Sequence, residues 1–151
     1  MTLPEDLLIA GTNKEKGMAF FEWQQSMSVG VDRFDDEHKQ LVGFLNDLNH
    51  ALTVHSTQKT MEDILNRLVK YTVIHFNHEE EYMKLYDYPD FEMHKKEHLE
   101  LTSQVQDFSL RLSQGKSSFS LELMIFLKDW LTNHILGTDM KYRSFFAAKV
   151  N

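Results

Sequence analysis

Phe91, His94, His98, Leu101, Val105, Phe108 and Leu112 follow one another in alternating steps of three and four. A strand alternates its faces every two residues, so a stripe with this spacing fits only an amphipathic α-helix. The segment opens at Pro89-Asp90 and stops at Gly115, a start and a stop that suit a helix. Three further segments carry the same period. The first begins after Asp35 and Asp36, which can cap it, carries His38, Leu41, Leu45, Leu48 and Leu52 on one stripe, and breaks around His55-Ser56-Thr57. The second runs from about Gln58 to Tyr86, with Ile64, Leu68, Tyr71, His75, Glu79 and Tyr82 on one face. The last starts after Ser117-Ser118, aligns Met124, Leu127, Leu131 and His134, and meets Gly137. The only two prolines, Pro4 and Pro89, lie outside these segments. Short breaks between long helices make antiparallel neighbours, so the expected fold is all-α, an up-down-up-down four-helix bundle.

Residues 1 to about 20 show no sustained period and are expected to form an arm, with the bundle spanning 21–151. Trp23, Met27, Val29 and Val31 then make a short apolar approach, expected to pack across the bundle. The 151 residues are enough for one domain with a real core. A formal charge of −7 argues against nucleic acid or an anionic membrane as partner. The opening MTLPEDLLIAG has acids where a signal peptide has bases, and no apolar run approaches a membrane span. A cytoplasmic location is expected.

The stripes are apolar except at His38, His75, Glu79, His94, His98 and His134, and no lysine or arginine shares those stripes. Such groups inside a bundle cost several kcal/mol unless paired or bound to metal. Spacing favours metal: a step of four returns to the same helical face, so His75 with Glu79, and His94 with His98, each aim two donors at one point. Zero cysteines leave only nitrogen and oxygen ligands. The set is too large for one tetrahedral zinc and too rich in nitrogen for calcium or magnesium, and suits two transition ions bridged by carboxylate. Glu79 is one candidate bridge and Asp139, in 134-HILGTD-139, the other. A step of five turns the side chain about 140° in a regular helix, so Asp139 reaches the site only from the side or through a distortion near Gly137. His50 and His55 are expected at an exposed helix end and His78 in solvent. Glu80 and Glu81 read as a solvated face, with Glu80 also a candidate support for a ligand.

The chain resembles the bacterial hemerythrins in D-x-x-H (Asp35 to His38), H-F-x-x-E (His75 to Glu79), H-x-x-x-H (His94, His98) and W-L-x-x-H-I-x-x-x-D (Trp130 to Asp139). The resemblance spans roughly Trp23 to Phe146. It implies a non-haem centre of two iron ions that binds dioxygen reversibly, for storage, delivery or sensing, and a binding protein rather than an enzyme. It further implies that His94, His98 and His134 hold one iron and His38 with His75 the other, with Glu79, Asp139 and a solvent-derived oxygen as bridges. Leu41, Phe76, Leu131 and Ile135, all beside ligands, are expected to line an apolar oxygen pocket. A di-iron oxidase or peroxidase is the alternative, disfavoured because oxidases of the ferritin-like class carry E-x-x-H pairs. Sensing would need a protein partner, with the N-terminal arm as the expected contact.

Overall fold

The computed structural model describes residues 19–116 and 118–149, and most of the expected N-terminal arm lies outside the described residues. Four long helices follow the expected order: α1 (Asp32–Thr53), α2 (Gln58–Leu85), α3 (Phe91–Ser113) and α4 (Leu121–Asn133). A π-helical turn at His134–Thr138 and a 3-10 turn at Asp139–Tyr142 then lead into a short α5 (Arg143–Ala147). α1 packs along α2 and α4, and α2 along α3. Trp130 Nε1, on α4, donates to the Leu101 carbonyl of α3 at 3.2 Å. No helix among the described residues is long and apolar enough to cross a membrane.

The helix ends follow from local chemistry. Thr57 and Ser120 cap α2 and α4, accepting from the amides of Thr60 and Leu123. Three helices end alike: at α3, the Gly115 amide donates to the Leu112 carbonyl and the Lys116 amide to that of Arg111, with Gly115 at φ 73°. This satisfies carbonyls that the helix end would otherwise orphan. His55 and Asp87 hold the same place after α1 and α2, both at φ 56°, a conformation that glycine adopts without strain.

The start of α1 differs from expectation. The helix begins at Asp32, and Asp35 does not cap it. The Asp35 carboxylate instead turns back on the incoming chain, accepting from Ser28 Oγ at 2.5 Å and the Val29 amide at 2.8 Å. The approach segment is thereby fastened, with Met27, Val29 and Val31 buried. Further along it, Phe21 exchanges two hydrogen bonds with the Asn46 side chain, both 2.8 Å.

Inside, the bundle is layered. One end is aliphatic, built on Leu41, Leu45, Leu48, Leu65, Leu68, Val105, Leu127 and Leu131. The other is aromatic, with Phe34, Tyr88, Tyr142 and Phe146 around Val29, Val31 and Met83. A fully buried polar layer lies between them.

Candidate metal centre

All seven residues singled out as ligands, His38, His75, Glu79, His94, His98, His134 and Asp139, are buried, and the fold brings them into one layer. Their donor atoms form two groups. One joins Glu79, His94, His98, His134 and Asp139, the other His38, His75, Glu79 and Asp139, and within each group the atoms lie within 4.8 Å of one another. Both carboxylates belong to both groups. Asp139 sends Oδ1 toward His94 Nε2 (2.9 Å) and His134 Nε2 (3.0 Å), and Oδ2 toward His38 Nε2 (2.9 Å). Glu79 sends Oε1 toward His98 Nε2 (3.0 Å) and Oε2 toward His75 Nε2 (3.2 Å).

Asp139 reaches the layer because the helix widens. Its amide donates to the His134 carbonyl, five residues back, and a π turn of this kind adds room for one extra residue per turn. The step of five that would miss the face in a regular helix therefore lands on it.

The fit to metal rests on the inward atoms themselves. The Nε2 atoms of His38, His75, His94, His98 and His134, Glu79 Oε1 and both Asp139 oxygens are buried and make no aligned hydrogen bond. Nitrogen and oxygen approach to about 3 Å yet aim past each other, as donors do when they converge on a third atom between them. Buried polar atoms are seldom left without partners, and each one costs about 1 to 3 kcal/mol. Cations placed between them would satisfy all of them together.

Electrostatics point the same way. Burial pushes Glu79 up, but His75, His134 and His38 hold it well below its ordinary value. Burial and Glu79 raise Asp139, and His134 and His38 more than reverse this. Burial would lower His75 and His94, but Glu79, Glu37 and Asp139 lift the first, and Asp139 and Glu79 the second, to about 9. The layer thus favours positive charge between its carboxylates, which protons supply in part and a metal ion would supply more fully.

Three carboxylates the sequence reading missed, or left undecided, orient the imidazoles from behind. His75 Nδ1 donates to Glu37 Oε1 (2.6 Å), His98 Nδ1 to Glu80 Oε2 (2.8 Å) and His134 Nδ1 to Glu97 Oε2 (3.2 Å). The three follow one rule. Each acid adjoins a candidate ligand in sequence, Glu37 beside His38, Glu80 beside Glu79 and Glu97 beside His98, and reaches a histidine of the next helical element. One residue is about 100° of helical turn, enough to move a side chain from the core stripe to the seam with its neighbour. Holding Nδ1 in this way fixes the tautomer that turns Nε2 inward.

His78 corrects the expectation of a solvent-facing side chain. It is only 25% exposed, and its Nδ1 donates to Glu37 Oε2 at 2.5 Å, so one carboxylate grips His75 and His78 together. His50 and His55 are exposed, as is Glu81. Tyr142 was not foreseen: its hydroxyl donates to Glu79 Oε2 at 2.5 Å, and its ring stacks on His94 with centroids 5.6 Å apart. Burial raises its phenol well above the ordinary value, with Asp139 and Glu79 adding to the effect, so it stays a neutral donor. Leu41, Phe76, Leu131 and Ile135 are all buried, and Phe76 lies flat on His98 at 3.8 Å between centroids.

Comparison with known proteins agrees with this arrangement. Residues 29–145 match the family model described as Hemerythrin HHE cation binding domain. A bacteriohemerythrin of Stenotrophomonas maltophilia is 33% identical over 134 residues, covering 89% of this chain and 86% of its own. A myohemerythrin of Theromyzon tessulatum is 36% identical over 123 residues, covering 82% of this chain and 91% of its own. A crystal structure of wild-type hemerythrin superposes with a TM-score of 0.79 at 29% identity, over 85% of this chain and 99% of that one.

Proposed function

The chain belongs to the hemerythrin family, and on that premise we propose that it binds dioxygen reversibly at a non-haem di-iron centre. The observation that carries the reading is the buried layer of inward nitrogen and oxygen atoms without hydrogen-bond partners, divided into two groups that share Glu79 and Asp139. His94, His98 and His134 would hold one iron and His38 with His75 the other, with the two carboxylates between them. Bound there, the iron pair would supply an open coordination position and the electrons for reversible dioxygen binding.

The chain's own residues account for orientation and dryness. Glu37, Glu80 and Glu97 hold the imidazoles by Nδ1, so Nε2 of each stays turned inward. Tyr142 keeps its proton and fixes one oxygen of Glu79. Leu41, Phe76, Leu131 and Ile135 would wall the oxygen pocket and keep water from it. The ligand set is five imidazoles to two carboxylates, which favours binding over oxidase turnover, and the physiological use we propose is storage or delivery.

The test is an absorption spectrum of the iron-loaded protein, recorded reduced, oxygenated and then purged. A visible band that rises with dioxygen and disappears on purging is expected. No band, or irreversible bleaching after one exposure, would refute reversible binding.

A further inference from the structure

A layer this deeply buried must still be loaded, and the structure offers a graded path to it. Beside α3, between it and the chain running from α4 into the π turn, lies an open cavity of about 350 Å3. Its polar wall is formed by Glu97, Glu100, Gln104, Asn133, Thr138 and His134. Five of these six side chains offer oxygen, and the sixth is a candidate ligand. His134 is buried, lines the cavity, meets Glu97 through Nδ1 (3.2 Å) and has Nε2 unpartnered on the side of the metal layer.

The other two supporting carboxylates do not offer the same access. The side chains of Glu37 and Glu80 are 9% and 16% exposed, whereas that of Glu97 is 39% exposed. Glu100 adds a second, exposed carboxylate one helical turn away. We infer that this cavity is the loading route for divalent metal, with Glu97 and Glu100 as the transit ligands that draw hydrated ferrous ion toward His134.

The inference rests on the di-iron reading and adds a direction to it. A hydrated divalent cation exchanges water first for carboxylate and amide oxygen, which hold it loosely, and then for imidazole, which suits iron better. Oxygen at the mouth and nitrogen within therefore form a downhill sequence. The π turn at His134–Thr138 supplies the side of the cavity where Thr138 and His134 stand.

Anaerobic mixing of ferrous ion with the metal-free full-length chain, followed by rapid chelator quenching and a count of protein-bound iron, tests the route. Glu97→Gln with Glu100→Gln should slow uptake about tenfold, the order that focused charge contributes to association rates, and the variant at exposed Glu100 alone should reach the same final iron content as the wild type. The amide oxygen introduced at position 97 still accepts from His134 Nδ1. Uptake should weaken with added salt in the wild type and much less in the double variant. Glu100→Gln alone, at an exposed position where folding is not at stake, should give part of the slowing. Glu92→Gln, elsewhere on α3, should behave as wild type. Equal rates for wild type and double variant, or equal slowing by Glu92→Gln, would overturn the route. A reduced final iron content at an unchanged rate would also overturn it, since Glu97 would then only support His134. Failure of the wild type to take up iron would sink the di-iron reading itself and is recognised separately.

Discussion

The two ends of the bundle bury their side chains in different ways. The aliphatic end holds Leu45, Leu48, Leu65, Leu68 and Leu127 without a polar atom among those side chains, and needs nothing but contact and exclusion of water. Beyond the polar layer, rings meet edge to face or tilted, as in Phe34 with Tyr142 at 5.8 Å and Tyr142 with Phe146 at 4.9 Å, and one ring is tied to the layer through Tyr142 and Glu79. The aliphatic end should therefore be stable on its own account, while the order of the aromatic end depends on what fills the layer between them.

The largest effect expected comes from the aliphatic side. Leu127→Ala should cost about 2 to 5 kcal/mol of unfolding free energy and leave two irons per chain. Leu131→Ala should cost a similar amount and, in addition, shorten the lifetime of the oxygenated state. Leu131 stands one turn before His134 on the same face, and Leu131→Asn, which also attracts water, should shorten it further. Denaturation curves and the decay of the visible band measure the two quantities. Equal lifetimes for Leu127→Ala and Leu131→Ala would show that the oxygen pocket lies elsewhere.

Next in size is a buried acid of α1, Asp47, remote from the metal layer. Burial raises its carboxyl to about 6 from 3.8, with Arg67 opposing. The folded chain binds this proton more tightly than the unfolded one. The contribution is therefore fully present below about pH 4 and is lost as pH rises through 6. Asp47→Asn should raise stability at pH 7 by up to about 2 kcal/mol and flatten the pH dependence between 4 and 6. An unchanged pH profile would contradict the assignment.

Tyr142→Phe removes the donor to Glu79 and should cost about 1.5 kcal/mol, loosening the aromatic end and speeding iron release to a chelator. The aliphatic end should be unaffected, as hydrogen exchange of central α1 and α2 amides would report. Smallest of all, His55→Gly relieves a positive φ at an exposed helix end and should stabilise the chain by about 1 kcal/mol with no change in iron content.

How much could be read beforehand follows the same division. The four helices were legible because Leu45, Leu68, Val105 and Leu127 repeat at helical spacing, and histidines inside those stripes betray themselves as misfits. Asp139 was legible only as a conflict: its step from His134 fits no regular helix, and the π turn that resolves it has no local signature beyond Gly137. Glu37 and Glu97 were hidden, and Glu80 was legible only as a candidate support, because each stands about 100° off its own helix's stripe, and its partner lies on another helix. His78 was misjudged for the same reason, since its place is set by Glu37 across the seam. Tyr142 closes the second of two irregular turns, where helical phase can no longer be counted. The start of α1 was set too late because Asp35 looks like a cap, whereas its carboxylate serves the chain before the helix.

The central claim is that the polar layer is built around two cations sharing Glu79 and Asp139. Elemental analysis of the iron-loaded wild type beside Glu79→Ala and His50→Ala tests it directly. Two irons per chain are predicted for the wild type and for His50→Ala, with a clear loss in Glu79→Ala because both groups of donors lose a shared member. One iron in the wild type, or two retained without Glu79, would contradict the account.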